Sequence, residues 1–165
     1  MKKNHDKASD MVYGVLFFSL LCMMGDAVAE EVFPPACKPV PIQDDFVKLS
    51  VEKPSLVMLH NLSSSTDLWV THPVSTAEPN VSISGRLQAG NWSALALDKK
   101  SFELSCIESR PGHEQQVPCA GLLAACLWSS TPPKTHSGTF WAGEDMSLSA
   151  LTAHVGSQGF IIPTS

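Results

Sequence analysis

Cysteine offers the most chemistry in this chain. Five are present, Cys22, Cys37, Cys106, Cys119 and Cys126. A zinc or thiol-redox site draws on close pairs such as C-x-x-C, and the sequence contains none. The four cysteines after Cys22 are even in number and widely spaced, which points to two structural disulfides in an oxidising compartment. Three connectivities are open to four cysteines. If segments 101–108 and 117–126 pair as a hairpin about the Pro111-Gly112 turn, Cys106 and Cys119 face each other. Cross-strand Cβ atoms in such pairs lie about 4.5–5.5 Å apart, near the reach of a disulfide. Cys37 is then left to reach Cys126 and pin the chain's amino-terminal arm. The main rival joins Cys119 to Cys126.

His60, His72, His113, His136 and His154 follow, scattered singly. They match neither H-x-H nor H-E-x-x-H spacing. A blue-copper site needs a free Cys followed closely by His and then Met, and Cys106 and His113 do not supply it. Serine is abundant, but the strained G-x-S-x-G elbow that exposes a nucleophile is missing. A Ser-His-Asp triad can still assemble from distant residues. No Gly-rich phosphate loop occurs. The expectation is therefore no catalytic residue, no metal and no cofactor, with a hydrolase built across loops as an alternative.

Tryptophan is the remaining candidate for recognition, at positions 69, 92, 128 and 141. Packing in sheets accounts for at least two. An exposed Trp beside Asn can stack on a sugar or a peptide, and Asn91-Trp92 next to Gly90 is the preferred surface. Asn61, Asn80 and Asn91 each open an N-x-S sequon. These matter only in a eukaryotic secretory route, and the Lys-rich start of the chain reads as bacterial.

Whatever these residues do, the first 29 positions decide where they do it. Lys2, Lys3 and Lys7 precede a 14-residue apolar stretch, Met11–Met24. That is a signal-peptide core. A membrane-spanning helix needs about 20 apolar residues. Ala27 and Ala29 are small residues at the spacing signal peptidase requires, which places cleavage between Ala29 and Glu30. A retained anchor is the alternative. A lipoprotein fits poorly, because Cys22 follows Leu21 inside the apolar core and Cys37 lies far beyond it. Cleavage removes Cys22 and leaves residues 30–165. These carry 8 Lys and Arg against 13 Asp and Glu, a net charge of −5, with no basic tract. Nucleic acid and anionic lipid are disfavoured as partners. No later stretch is long enough to form a stable membrane span.

The elements that would position these residues are mostly strands. Residues 30–45 form a Pro-rich extended arm. Val47, Leu49 and Val51 alternate with Lys48, Ser50 and Glu52, the period of a half-buried strand. Residues 55–62 and 67–71 read as a hairpin about Ser63–Thr66, with His60 opposite Trp69. Further strands are expected near 81–84, at 92–97, from Phe102 to Cys106, at 117–128 (with a short helical turn over Ala120–Cys126 as the alternative) and at 139–142. Leu148, Leu151, Thr152 and Val155 recur at helical spacing over 146–155, with Asp145 or Ser147 as cap and Gly156 as terminator. Phe160–Ile162 ends the chain as a short strand. Six to eight short strands with Gly, Pro and Ser turns predict a mainly β fold. It is an immunoglobulin-like or related antiparallel β-sandwich over 46–165, with one short C-terminal helix.

A series of short words supports a resemblance. It runs Leu56-Val-Met-Leu-His-Asn61, Leu68-Trp-Val-Thr-His-Pro73, Gly90-Asn-Trp-Ser-Ala-Leu95 and Phe102-Glu-Leu-Ser-Cys106. Pro111-Gly-His-Glu-Gln115, Val117-Pro-Cys119 and Gly138-Thr-Phe-Trp141 complete it. Over about half of the chain after residue 29, this resembles the enhanced-entry protein B family, small exported proteins of intracellular bacterial pathogens. The resemblance implies an envelope or periplasmic location and a role in host-cell entry. It brings no active site. The expected function is a non-enzymatic envelope module that binds another envelope or periplasmic protein. A carbohydrate-binding module using exposed Trp residues is the second expectation.

Overall fold

The computed structural model describes residues 33–42, 45–73, 83–98, 101–130, 133 and 137–162. The segment 1–29, the Ala29–Glu30 junction, Asn80 and His136 lie outside them.

Ten strands form two antiparallel sheets among the described residues. Sheet A is ordered β1 (Lys38–Val40), β9 (Leu123–Ser129), β3 (Ser55–Asn61), β6 (Trp92–Leu97), β10 (Phe140–Met146). Sheet B is ordered β2 (Phe46–Ser50), β7 (Ser101–Glu108), β4 (Leu68–Thr71), β5 (Ser84–Leu87), and β8 (Gln115–Val117) pairs with β7 just beyond β2. The fold is a β-sandwich with one short helix at its C-terminal end. Strand β3 pairs with β6 in one sheet, and β4 pairs with β7 in the other. Strands B/E and C/F of immunoglobulin domains pair this way. The edges differ, since β9 lies on the far side of β3.

Alternation builds the core between the sheets. Val57 and Leu59 of β3, and Leu95 and Leu97 of β6, meet Val47 and Leu49 of β2, Leu68 and Val70 of β4, and Leu104 of β7. Strands β3 and β6 are buried along almost their whole length, because their second face is covered too. On that face Leu56, Met58, Trp92, Ala94, Ala96 and Trp128 pack beneath Cys37, Phe160 and the helix α1 (Leu148–Ser157), which contributes Leu151 and Val155. Gly143 of β10 lets the helix come close, since a Cβ there would collide with Leu151. On the same strand, Trp141 lies against Gly85 of β5, where a Cβ would sit 2.8 Å from the indole.

Several expected elements are redrawn. The hairpin of 55–62 with 67–71 does not form, because β3 and β4 belong to different sheets. Asn61 fixes the crossing. It is fully buried, its Nδ2 donates to the carbonyls of Thr66 (2.8 Å) and Leu87 (2.9 Å), and its Oδ1 accepts from the Ser63 N–H (3.0 Å). The Ser63 Oγ accepts from the Thr66 N–H at 2.8 Å. The polar turn therefore closes on itself instead of joining paired strands. Consequently His60 faces Trp92 and Ala124, not Trp69.

The single strand expected over 117–128 is two strands in two sheets, β8 and β9, separated by a turn at Ala120–Leu122. The Pro-rich arm contributes the edge strand β1, a position that tolerates Pro39. Gly85 sits inside β5. Ser147 is the helix N-cap, accepting from the Ala150 N–H. Gly156 lies within the helix, and the left-handed residue beyond its end is Gly159, at φ 91°. Residues 160–162 form no strand. Phe160 instead enters the core beneath the helix.

Candidate functional site

The expected surface at Asn91-Trp92 is occupied by the protein itself. Trp92 is 5% exposed. One face of its indole stacks on His60, with centroids 4.2 Å apart and planes 5° from parallel, and Phe33 meets it edge-on at 6.3 Å. The Asn91 amide is equally engaged. Its Nδ2 donates to the Asp145 Oδ1 at 2.9 Å, and the same oxygen accepts the Gln88 N–H at 2.8 Å. Asp145 has a left-handed backbone at φ 54°, held by its N–H to the Ser93 Oγ at 2.9 Å. This cluster ties the β5–β6 turn to the bulged end of β10. Asn91 and Trp92 are structural, and the binding surface expected there is corrected. Asn61, with its amide buried and bonded twice, is likewise no glycan acceptor in this fold.

The four cysteines form two bridges, Cys37–Cys126 and Cys106–Cys119, each with Cα atoms 5.4 Å apart. The partners are those preferred from the sequence, but the geometry of the second differs. Val117 is the residue opposite Cys106 across β7 and β8. Cys119 lies just past β8, where its N–H donates to the Asp45 carbonyl at 3.3 Å. Cys106, Cys119 and Cys126 are fully buried and Cys37 is nearly so. Two bridges sealed in the core are those of a protein that folds in an oxidising compartment.

The described histidines are dispersed. His72 Nδ1 bonds the Glu103 carbonyl at 2.7 Å, and His154 Nε2 accepts from Gln158 Nε2 at 2.8 Å. Among the described residues, no three His, Cys, Asp or Glu side chains converge as a metal site would require. No helix among them is long and apolar enough to cross a membrane.

Among the described residues, the exposed large aromatic side chain, Trp69, lies on the outer face of sheet B. Leu68 and Val70 point into the core, so Trp69 between them points out, and it is 37% exposed. In register across the sheet, Arg86 of β5 flanks Trp69 on one side and Ile107 of β7 on the other, with Gln116 of β8 beyond. The next row along the strands is Ser84, Thr71, Ser105 and Phe46. Arg86 Nη2 pairs with Asp67 Oδ2 at 2.6 Å, and the Ala89 N–H donates to Asp67 Oδ1 at 3.0 Å. The Arg86 hydrogen bond first, and the Ala89 amide second, hold the Asp67 carboxyl below the usual carboxylate range. On β10, burial pushes the Glu144 carboxyl up, aided by the neighbouring Asp145 charge.

Trp69 was legible in principle. It is a lone aromatic between two core aliphatics in a short alternating strand. Trp92 opens WSALAL, whose run of apolar and small residues marks a strand buried on both faces. Comparison of the chain with protein-family models, with curated proteins and with solved structures finds no match to any of them.

Proposed function

We propose that this chain is an exported, non-enzymatic module of the bacterial envelope that supports host-cell entry, binding its partner through the outer face of sheet B. One observation carries the reading: the two outer faces of the sandwich are unlike. Sheet A is covered by the helix and the arm. Sheet B presents Trp69 flanked by Arg86 and Ile107. Trp and Arg are the residues most enriched where binding energy concentrates. The basic, apolar and small-residue pattern of residues 1–29 supports export by a cleaved signal. The two buried disulfides support residence in an oxidising space such as the periplasm. The resemblance to enhanced-entry proteins supports the role in entry.

A photoreactive benzophenone residue placed at position 69 tests this in living cells, because it inserts into C–H bonds of proteins and glycans alike. The same residue at Ala150, exposed on the helix, is the comparison. Irradiation should give an adduct from position 69 and none from 150. Adducts from neither position, or equally from both, would reject the reading.

A further inference from the structure

Resting on the reading that the outer face of sheet B is the contact surface, we infer that its ligand is a neutral oligosaccharide of the bacterium's own envelope, stacked on Trp69. Size argues first. Four columns of strands about 4.8 Å apart, and a few residues along each, give a face of about 300 Å². A stable protein interface takes about 800 Å² from each partner. The described strands of this face alone fall short of that area for a second copy of this chain or a folded protein. They suffice for a short oligosaccharide.

Composition argues second. The centre of a protein-binding patch is depleted in charged side chains such as Lys, Glu and Asp. Trp69 instead sits beside the Arg86–Asp67 ion pair, with Ile107 on its other side, Gln116 two strands away and the hydroxyls of Thr71 and Ser84 in the adjoining row. A pyranose ring has an apolar, electropositive C–H face that suits the electron-rich indole face. Its hydroxyls need planar donors and acceptors around that contact. The guanidinium fork of Arg86 and the amide of Gln116 are such groups.

Charge argues third, and chooses a neutral sugar. Arg86 is paired with Asp67 at 2.6 Å, and Lys48 lies directly across from Glu103. Each charge on this face has its opposite beside it, so the face offers an anionic glycan no net attraction. Residence in the envelope selects the source, the neutral glycan present there rather than the acidic sugars of a host surface.

The test follows the indole N–H resonances of the oxidised protein, residues 30–165, during titration with neutral and acidic oligosaccharides. The Trp69 signal is identified by its loss in Trp69→Ala. Chitotriose and maltotriose represent neutral envelope-type sugars, and sialyllactose an acidic host-type sugar. A neutral trisaccharide at millimolar concentration should move the Trp69 signal and leave the buried indoles unmoved. Arg86→Ala should weaken binding about tenfold. Leu62→Ala, exposed but off the face, should bind as the native protein does. Calorimetry of Trp69→Ala should show no binding.

Two results would overturn the inference. One is no movement of the Trp69 signal with either neutral sugar, the other a larger movement with sialyllactose. A protein adduct from the position-69 crosslinker, with no sugar bound, would remove the glycan and leave the contact face standing. Absence of both would remove the face as well.

Discussion

Asn61 shows how much of this molecule is decided by single polar side chains. Its buried amide replaces three backbone partners at the place where the chain leaves sheet A for sheet B. Replacing it with Ala strands the buried Leu87 carbonyl and removes the partner of the part-buried Thr66 carbonyl and Ser63 N–H. Each buried group left unpaired costs about 1–3 kcal/mol. Asn61→Ala should therefore lose about 2–4 kcal/mol, seen as a lower urea midpoint at unchanged slope. A loss below about 1 kcal/mol would show that the crossing is held by other contacts. The same residue explains what the sequence hid. N-L-S reads as a sequon and the serines after it as a hairpin turn, because nothing in the local pattern says that the amide reaches Leu87, far along the chain. Trp69 and Trp92 make the complementary point. Their exposure follows from the strands that hold them, one covered on a single face and the other covered on both.

Elements were legible where one face alternates and obscure where both are buried. The alternating strand from Phe46 to Ser50 and the common face of Phe102, Leu104 and Cys106 follow from period-2 patterning. The helix follows from Leu148, Leu151 and Val155, with its end displaced because Gly159, and not Gly156, takes the left-handed turn. Strand partnership did not follow, since near-continuous apolar runs such as 55–59 carry no parity to say which sheet they join.

The disulfides act at this scale by tying elements remote in sequence. Cys37–Cys126 closes a separation of 89 residues and Cys106–Cys119 one of 13. Loop entropy in the unfolded chain assigns them about 4.6 and about 3 kcal/mol. Replacing Cys37 and Cys126 with Ala should thus destabilise the domain more than replacing Cys106 and Cys119, by about 1.5 kcal/mol in urea unfolding. The reverse order would mean that the short bridge orders β8 against β7 beyond its entropic effect.

At the scale of the whole molecule, the arm and helix bury one sheet and leave the other bare. That asymmetry depends on Phe33, Cys37 and Phe160 reaching back over sheet A from the two ends of the described residues, which no local pattern foretells. The account turns on the bare face. Its most direct measurement is retention of residues 30–165 on isolated envelopes, comparing the native protein with Trp69→Ala and Leu62→Ala in a sedimentation titration. The account predicts saturable retention of the native and Leu62→Ala proteins, and at least about tenfold weaker retention of Trp69→Ala. Equal retention of all three proteins would contradict it.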